Sequence, residues 1–117
     1  MGHVWVDTRL VNPITGDEMM SKALVDTGAT FTVVPLAVCD KLNLKIVGKK
    51  DVETAKGKVR LDETFATVEI NSKRGITPIL VSPETKDVLI GVLTLEGLGL
   101  TVDPTTSELK ETRILLL

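Results

Sequence analysis

The sequence predicts an all-β fold of barrel or sandwich type with two short helices. Short β-rich stretches recur along the whole chain, turn residues separate them, and only two stretches space their apolar residues as a helix does. "HVWVDTRLV" (3–11) is β-rich and partly alternating, and "MMSKALV" (19–25) follows the turn-rich "NPITGDE" (12–18), so the two read as a hairpin. "TFTVV" (30–34) reads as a third strand. Pro35 suits a first helical position, and Leu36, Val38, Cys39 and Leu42 give "PLAVCDKLNL" (35–44) the pattern of a short helix. "KIVGKKDVETA" (45–55) and "KVRLDETFATVEI" (58–70) are strand-like stretches around a turn at Gly57. "ITPILVS" (76–82) is a strand in which Pro78 argues for an edge or a start. "DVLI" (87–90) is a strand ending at Gly91, and "VLTLEGLGL" (92–100) is a short helix stopped by Gly97 or Gly99. "TVDPTTSEL" (101–109) reads as strand then turn, and "TRILLL" (112–117) as a closing apolar strand. A strand leading into a helix thus occurs twice, about sixty residues apart, a faint internal echo.

The length of 117 residues suits one domain, residues 1–117, able to bury roughly two-thirds of its unfolded surface. Apolar residues make up 43%, as in a globular chain. A net charge of −2 gives no sign of a nucleic-acid or membrane-surface partner. No apolar run reaches the ~18 residues of a membrane span, and "MGHVWVDTRL" lacks the pattern of a signal peptide. The single Cys39 excludes an internal disulfide, so a reducing, cytoplasmic setting is expected.

The chemistry concentrates at "ALVDTGATFTVV" (23–34), where a carboxylate, Asp26, ends an apolar strand. Burying an unpaired carboxylate costs several kcal/mol or more, so such a group finds a partner, changes protonation or does chemistry. Gly28 lets the backbone turn sharply, and Thr27 offers a hydroxyl. One carboxylate cannot be both acid and base towards a peptide bond. Two side by side can, by sharing one proton.

"LVDTGAT" resembles the active-site motif of aspartic proteases, Asp-Thr/Ser-Gly after two apolar residues, and the chain length matches the single-domain retropepsin-like branch. Leu89-Ile90-Gly91 before a short helix resembles that family's second landmark, and "VETAKGKVRLDETFATVEI" lies where its flap hairpin stands. "LGLTVDPTTSEL" is similar to cellular members, so the resemblance spans about His3 to Leu109. It implies a small closed β-barrel-like retropepsin fold and a homodimeric aspartic endopeptidase acting on peptides or proteins. Because the chain has one Asp-Thr-Gly, each subunit would supply one catalytic Asp26. Thr27 and Gly28 would support the site, with Thr27 bracing the partner's loop. Ala29 would meet substrate, together with Ala55, Lys56, Gly57 and Lys58 of a flap over 54–60, its tip at Lys56-Gly57. No cofactor, metal, nucleic acid or membrane is implied.

Some residues depart from the family pattern. Retroviral flaps are usually richer in Gly, there is no Tyr for a pepsin-like flap, and Thr30-Phe31 stand where polar residues are common. A catalytically silent dimerisation or peptide-binding module of the same fold is therefore the alternative, and an unrelated β-barrel with a coincidental motif is a third. The remaining signals are bland. His3 is the only histidine and gives no metal-site spacing, and no serine lies in Gly-x-Ser-x-Gly. Cys39 reads as a buried structural thiol, Leu89-Ile90-Gly91 as packing, and the lysines near the flap as solvated charges.

Overall fold

The computed structural model describes residues 3–114 and residue 116. Asn12 organises the first turn. Its Oδ1 accepts the N–H of Ile14 at 2.9 Å, and its Nδ2 donates to the carbonyls of Leu42 and Asn43 at 3.0 Å each. A buried amide with these partners folds β1 (Val4–Val11) back on β2 (Glu18–Val25), Val4 opposite Val25. It also ties that hairpin to the end of α1 (Leu36–Lys41).

Beyond β2 come β3 (Thr32–Pro35), β4 (Gly48–Thr54), β5 (Gly57–Ile70), β6 (Lys73–Ser82) and β7 (Val88–Ile90). The strands run in the order β1-β2-β7-β3-β6-β5-β4. Pairing of β1 with β5 at Arg9–Glu69, Leu10–Val68 and Val11–Thr67 closes six of them into a barrel, leaving β4 as an outrigger on β5. Closure removes the free edges that an open sheet of this size would expose. Alternation along each strand sends one face inward, so Leu10, Val34, Val68, Ile79 and Ile90 are fully buried. α2 (Val92–Leu98) closes one end with Leu95 and Leu98. Among the described residues no buried side-chain nitrogen or oxygen lacks a partner, and no helix is long and apolar enough to cross a membrane.

Several boundaries differ from the sequence reading. Pro35 is the extended cap before α1, with φ −61° and ψ 151°, not its first residue. β4 begins at Gly48, three residues late, and β6 begins at Lys73, so Pro78 lies inside a strand. It is tolerated because β6 pairs with β3 only from Ile79 onward, leaving one side free up to Pro78. α2 runs through Gly97 and stops at Gly99, whose φ of 70° is the left-handed cap conformation.

The expected closing strand over 112–117 is corrected for its described part. β8 (Leu100–Asp103) pairs with β9 (Glu108–Glu111) around a tight turn, and residues 112–114 are not strand. The N–H of Thr112 instead donates to the Gly99 carbonyl at 2.8 Å, turning the tail over the end of α2. Leu115 and Leu117, also part of that expectation, lie outside the described residues.

Candidate active site

Asp26 is the first residue after β2, and its position is set by β7. The parallel register Ala23–Val88, Leu24–Leu89, Val25–Ile90 brings Asp26 beside Gly91, and the Asp26 N–H donates to the Ile90 carbonyl at 2.9 Å. The loop then turns on itself, Ala29 N–H to the Asp26 carbonyl at 3.1 Å. The carboxylate is half-buried, and its Oδ1 accepts the Gly28 N–H at 3.0 Å. Asp26 is therefore aimed by its own loop, while Thr27 and Gly28 stay exposed.

α2 holds the rest of this loop. The first amides of a helix lack intrahelical acceptors. Here Val92 and Leu93 donate theirs to the carbonyls of Ala29 and Thr30, at 2.8 and 3.0 Å. That approach is possible because residue 91 is glycine. A Cβ there would stand 2.5 Å from the carbonyl carbon and oxygen of Phe31 and 2.8 Å from the Thr30 oxygen. Leu89-Ile90-Gly91 is thus packing, as its sequence suggests, but packing that shapes the Asp26 loop.

Three buried hydroxyls secure α2 from below. Thr94 Oγ1 lies 2.6 Å from Thr32 Oγ1 on β3 and 2.9 Å from Thr77 Oγ1 on β6, and Thr32 accepts the Gly91 N–H at 3.0 Å. Valine at position 94 keeps the shape and removes the hydroxyl, leaving its neighbours short of a partner in a dry site. Thr94→Val is expected to lose about 1–3 kcal/mol of stability by urea unfolding, with Thr94→Ser close to wild type.

β4 and β5 form a hairpin that overhangs this loop. Thr54 pairs with Gly57, so the tip is Ala55-Lys56, one residue earlier than expected. The side chain of Thr54 makes the difference. Its hydroxyl accepts the Lys56 N–H at 3.2 Å and donates to the Gly57 carbonyl at 2.9 Å, and Gly57 takes a φ of 110° that favours glycine. Alternation divides the hairpin into two faces. Lys49–Asp62 at 2.5 Å and Arg60–Asp51 at 2.8 Å form a charged ladder on one. On the other, Val52, Val59 and Leu61 line a groove of about 1040 Å³ whose opposite wall includes Phe31, Val33 and Leu89. At the hairpin base the Lys50 ammonium sits 5.6 Å from the Phe31 ring centroid.

Of the residues expected at the site, the structure brings Gly28 and Ala29 together with Ala55 and Lys56 around this groove. Asp26 and Thr27 begin the loop that enters it without forming its wall, and Gly57 and Lys58 fall outside the lining. Sequence reading left out the apolar wall residues Val33, Val52, Leu80 and Leu89. Val33 and Leu80 alternate with core residues and Val52 with exposed charges, and that alternation was their only signal, while Leu89 was read as packing. Cys39 is buried, and burial, with Asp40 and Asp62 nearby, pushes its thiol up, away from the thiolate a nucleophile needs. Among the described residues no cluster of His, Cys, Asp and Glu could hold a metal ion.

An Asp-Thr-Gly at the end of a strand, bonded to the Ile90 carbonyl just before a glycine and a helix and facing a groove walled by a hairpin, agrees with a sequence comparison. The family model described as "gag-polyprotein putative aspartyl protease" matches residues 14–97. The chain belongs to that family. This retropepsin-like chain also shares its fold with a solved structure, EIAV protease complexed with the inhibitor HBY-793. The TM-score is 0.70 at 19% identity, over 84% of this chain and 89% of that one. No curated protein matches the chain in sequence.

Proposed function

We propose that the protein is a homodimeric aspartic endopeptidase with one Asp26 from each subunit at its centre. The observation that carries this reading is the Asp26 loop itself. It presents a half-buried carboxylate, oriented by the Gly28 N–H, beside a groove roofed by a hairpin. A single such carboxylate per chain is half of the machinery, and a second copy supplies the other half. One carboxylate takes a proton from water while the other gives one to the scissile carbonyl oxygen, yielding a tetrahedral diol. Return of a proton to the amide nitrogen lets the C–N bond break into acid and amine. The form that works carries one proton between the two groups. In this reading Thr27 braces the partner's loop, Gly28 and Ala29 offer backbone groups to an extended peptide, and the hairpin tip at Ala55-Lys56 closes over it.

Ile114 and Leu116 are 64% and 97% exposed, apolar surface suited to an interface between copies. Light scattering is expected to give twice the monomer mass, and a clean monomer at assay concentration removes the shared site. The deciding experiment is cleavage of a peptide library from acid to neutral pH, wild type beside Asp26→Asn.

A further inference from the structure

The strand registers place five apolar side chains in one row. Trp5 is opposite Leu24, Leu24 is beside Leu89, Leu89 pairs with Val33, and Val33 with Leu80. In-register neighbours share a sheet face, and it is the outer one, because their sequence neighbours Ala23, Val25, Val34, Ile79 and Ile90 are buried in the core. Five strands span about 19 Å, the length of about six extended residues. Leu80, Val33 and Leu89 already wall the groove under the hairpin. The row continues past it through Leu24, two residues before Asp26, to Trp5, which is 48% exposed. One step further along β1 and β2 the same face turns charged, with Lys22 and Asp7 paired at 3.2 Å. At its β1–β2 end the apolar row is thus bordered by charge one pleat further from Asp26, and at its other end it is continuous with the groove.

We propose that Trp5 is a specificity-determining residue. It forms the outer wall of a subsite that takes a large apolar side chain of an extended peptide, away from the scissile bond. The occupant is peptide and not a second copy of the chain, because the row runs on from the groove wall formed by Leu80, Val33 and Leu89. The inference rests on the protease reading for its substrate, but its test separates the two. Trp5 is the only tryptophan, so its emission reports on this subsite directly.

The probes are a blocked, tryptophan-free octapeptide with Leu and Phe at alternate positions and a counterpart with Ser in their place. On Asp26→Asn, the apolar peptide is expected to shift Trp5 emission to the blue in a saturable way, and the Ser peptide to leave it unchanged. Trp5→Thr keeps a strand-forming residue. It is expected to raise KM for the apolar peptide roughly tenfold while kcat and melting temperature stay near wild type. Emission that follows protein concentration but not peptide would assign Trp5 to a contact between copies and overturn the proposal, as would an unchanged KM in Trp5→Thr. Wild type that cleaves nothing overturns the protease reading, while the emission experiment still decides Trp5.

Discussion

Asp26→Asn is expected to leave a folded dimer that cleaves no peptide. Asparagine is nearly isosteric and keeps an oxygen to accept the Gly28 N–H, which lies 3.0 Å from Oδ1 in the native loop. It cannot take a proton from water, and it spoils the sharing of one proton across the pair. Loss of general acid–base catalysis alone removes up to about 10⁴-fold, roughly 5 kcal/mol of barrier. Peptide cleavage followed by mass spectrometry, beside light scattering and thermal melting of the same sample, tests each part. Equal turnover by the variant would remove Asp26 from the chemistry and leave a peptide-binding domain of protease fold. A variant that does not melt cooperatively would show instead that the carboxylate holds the loop.

Gly91→Ala is expected to be the most damaging single methyl group in the chain. Its Cβ would meet backbone on the opposite side at 2.5 Å, and backbone cannot rotate away as a side chain can. Either β7 moves off the Asp26 loop or the loop gives up its bonds to Val92 and Leu93. A loss of about 3 kcal/mol, or roughly 10–20 °C in melting temperature, is expected. Gly97→Ala is the control. It lies inside α2, where an added Cβ meets nothing within 4 Å, and replacing a helical glycine there should raise stability by about 0.5–1 kcal/mol. Calorimetry of the two variants separates backbone collision from a general sensitivity of α2.

The difference between what could and could not be read from the chain follows from range. The β1–β2 hairpin was legible because Asn12, Pro13, Gly16 and Asp17 mark its turn locally, and Asp26 because a carboxylate after Leu24-Val25 contradicts burial. Gly91 was visible as the end of a strand and part of the Leu89-Ile90-Gly91 landmark, but its reason, the Phe31 carbonyl, belongs to a loop sixty residues earlier in the chain. The Thr32–Thr94–Thr77 chain was hidden for the same cause: three scattered hydroxyls become one network only through the pairing of β3 with β6. The row from Trp5 to Leu80 depends on four registers at once. Over 112–114 the expected closing strand failed because apolar residues alone do not supply a partner, and β8 had already taken β9.

The parallel pairing of β2 with β7 also decides when the site can exist. Residues 23–25 find their neighbours only at 88–90, and the Asp26 loop takes hydrogen bonds from residues 92 and 93. Contacts so far apart in sequence close late, because a long loop must be ordered first. On the ribosome the first two-thirds of the chain can form the β1–β2 and β4–β5 hairpins, both local, while Asp26 is still without its support. The fold therefore carries its own delay. The Asp26 loop is not held in place until α2 has been synthesised and released, and pulse-labelled hydrogen exchange during refolding should protect Val52 before Asp26.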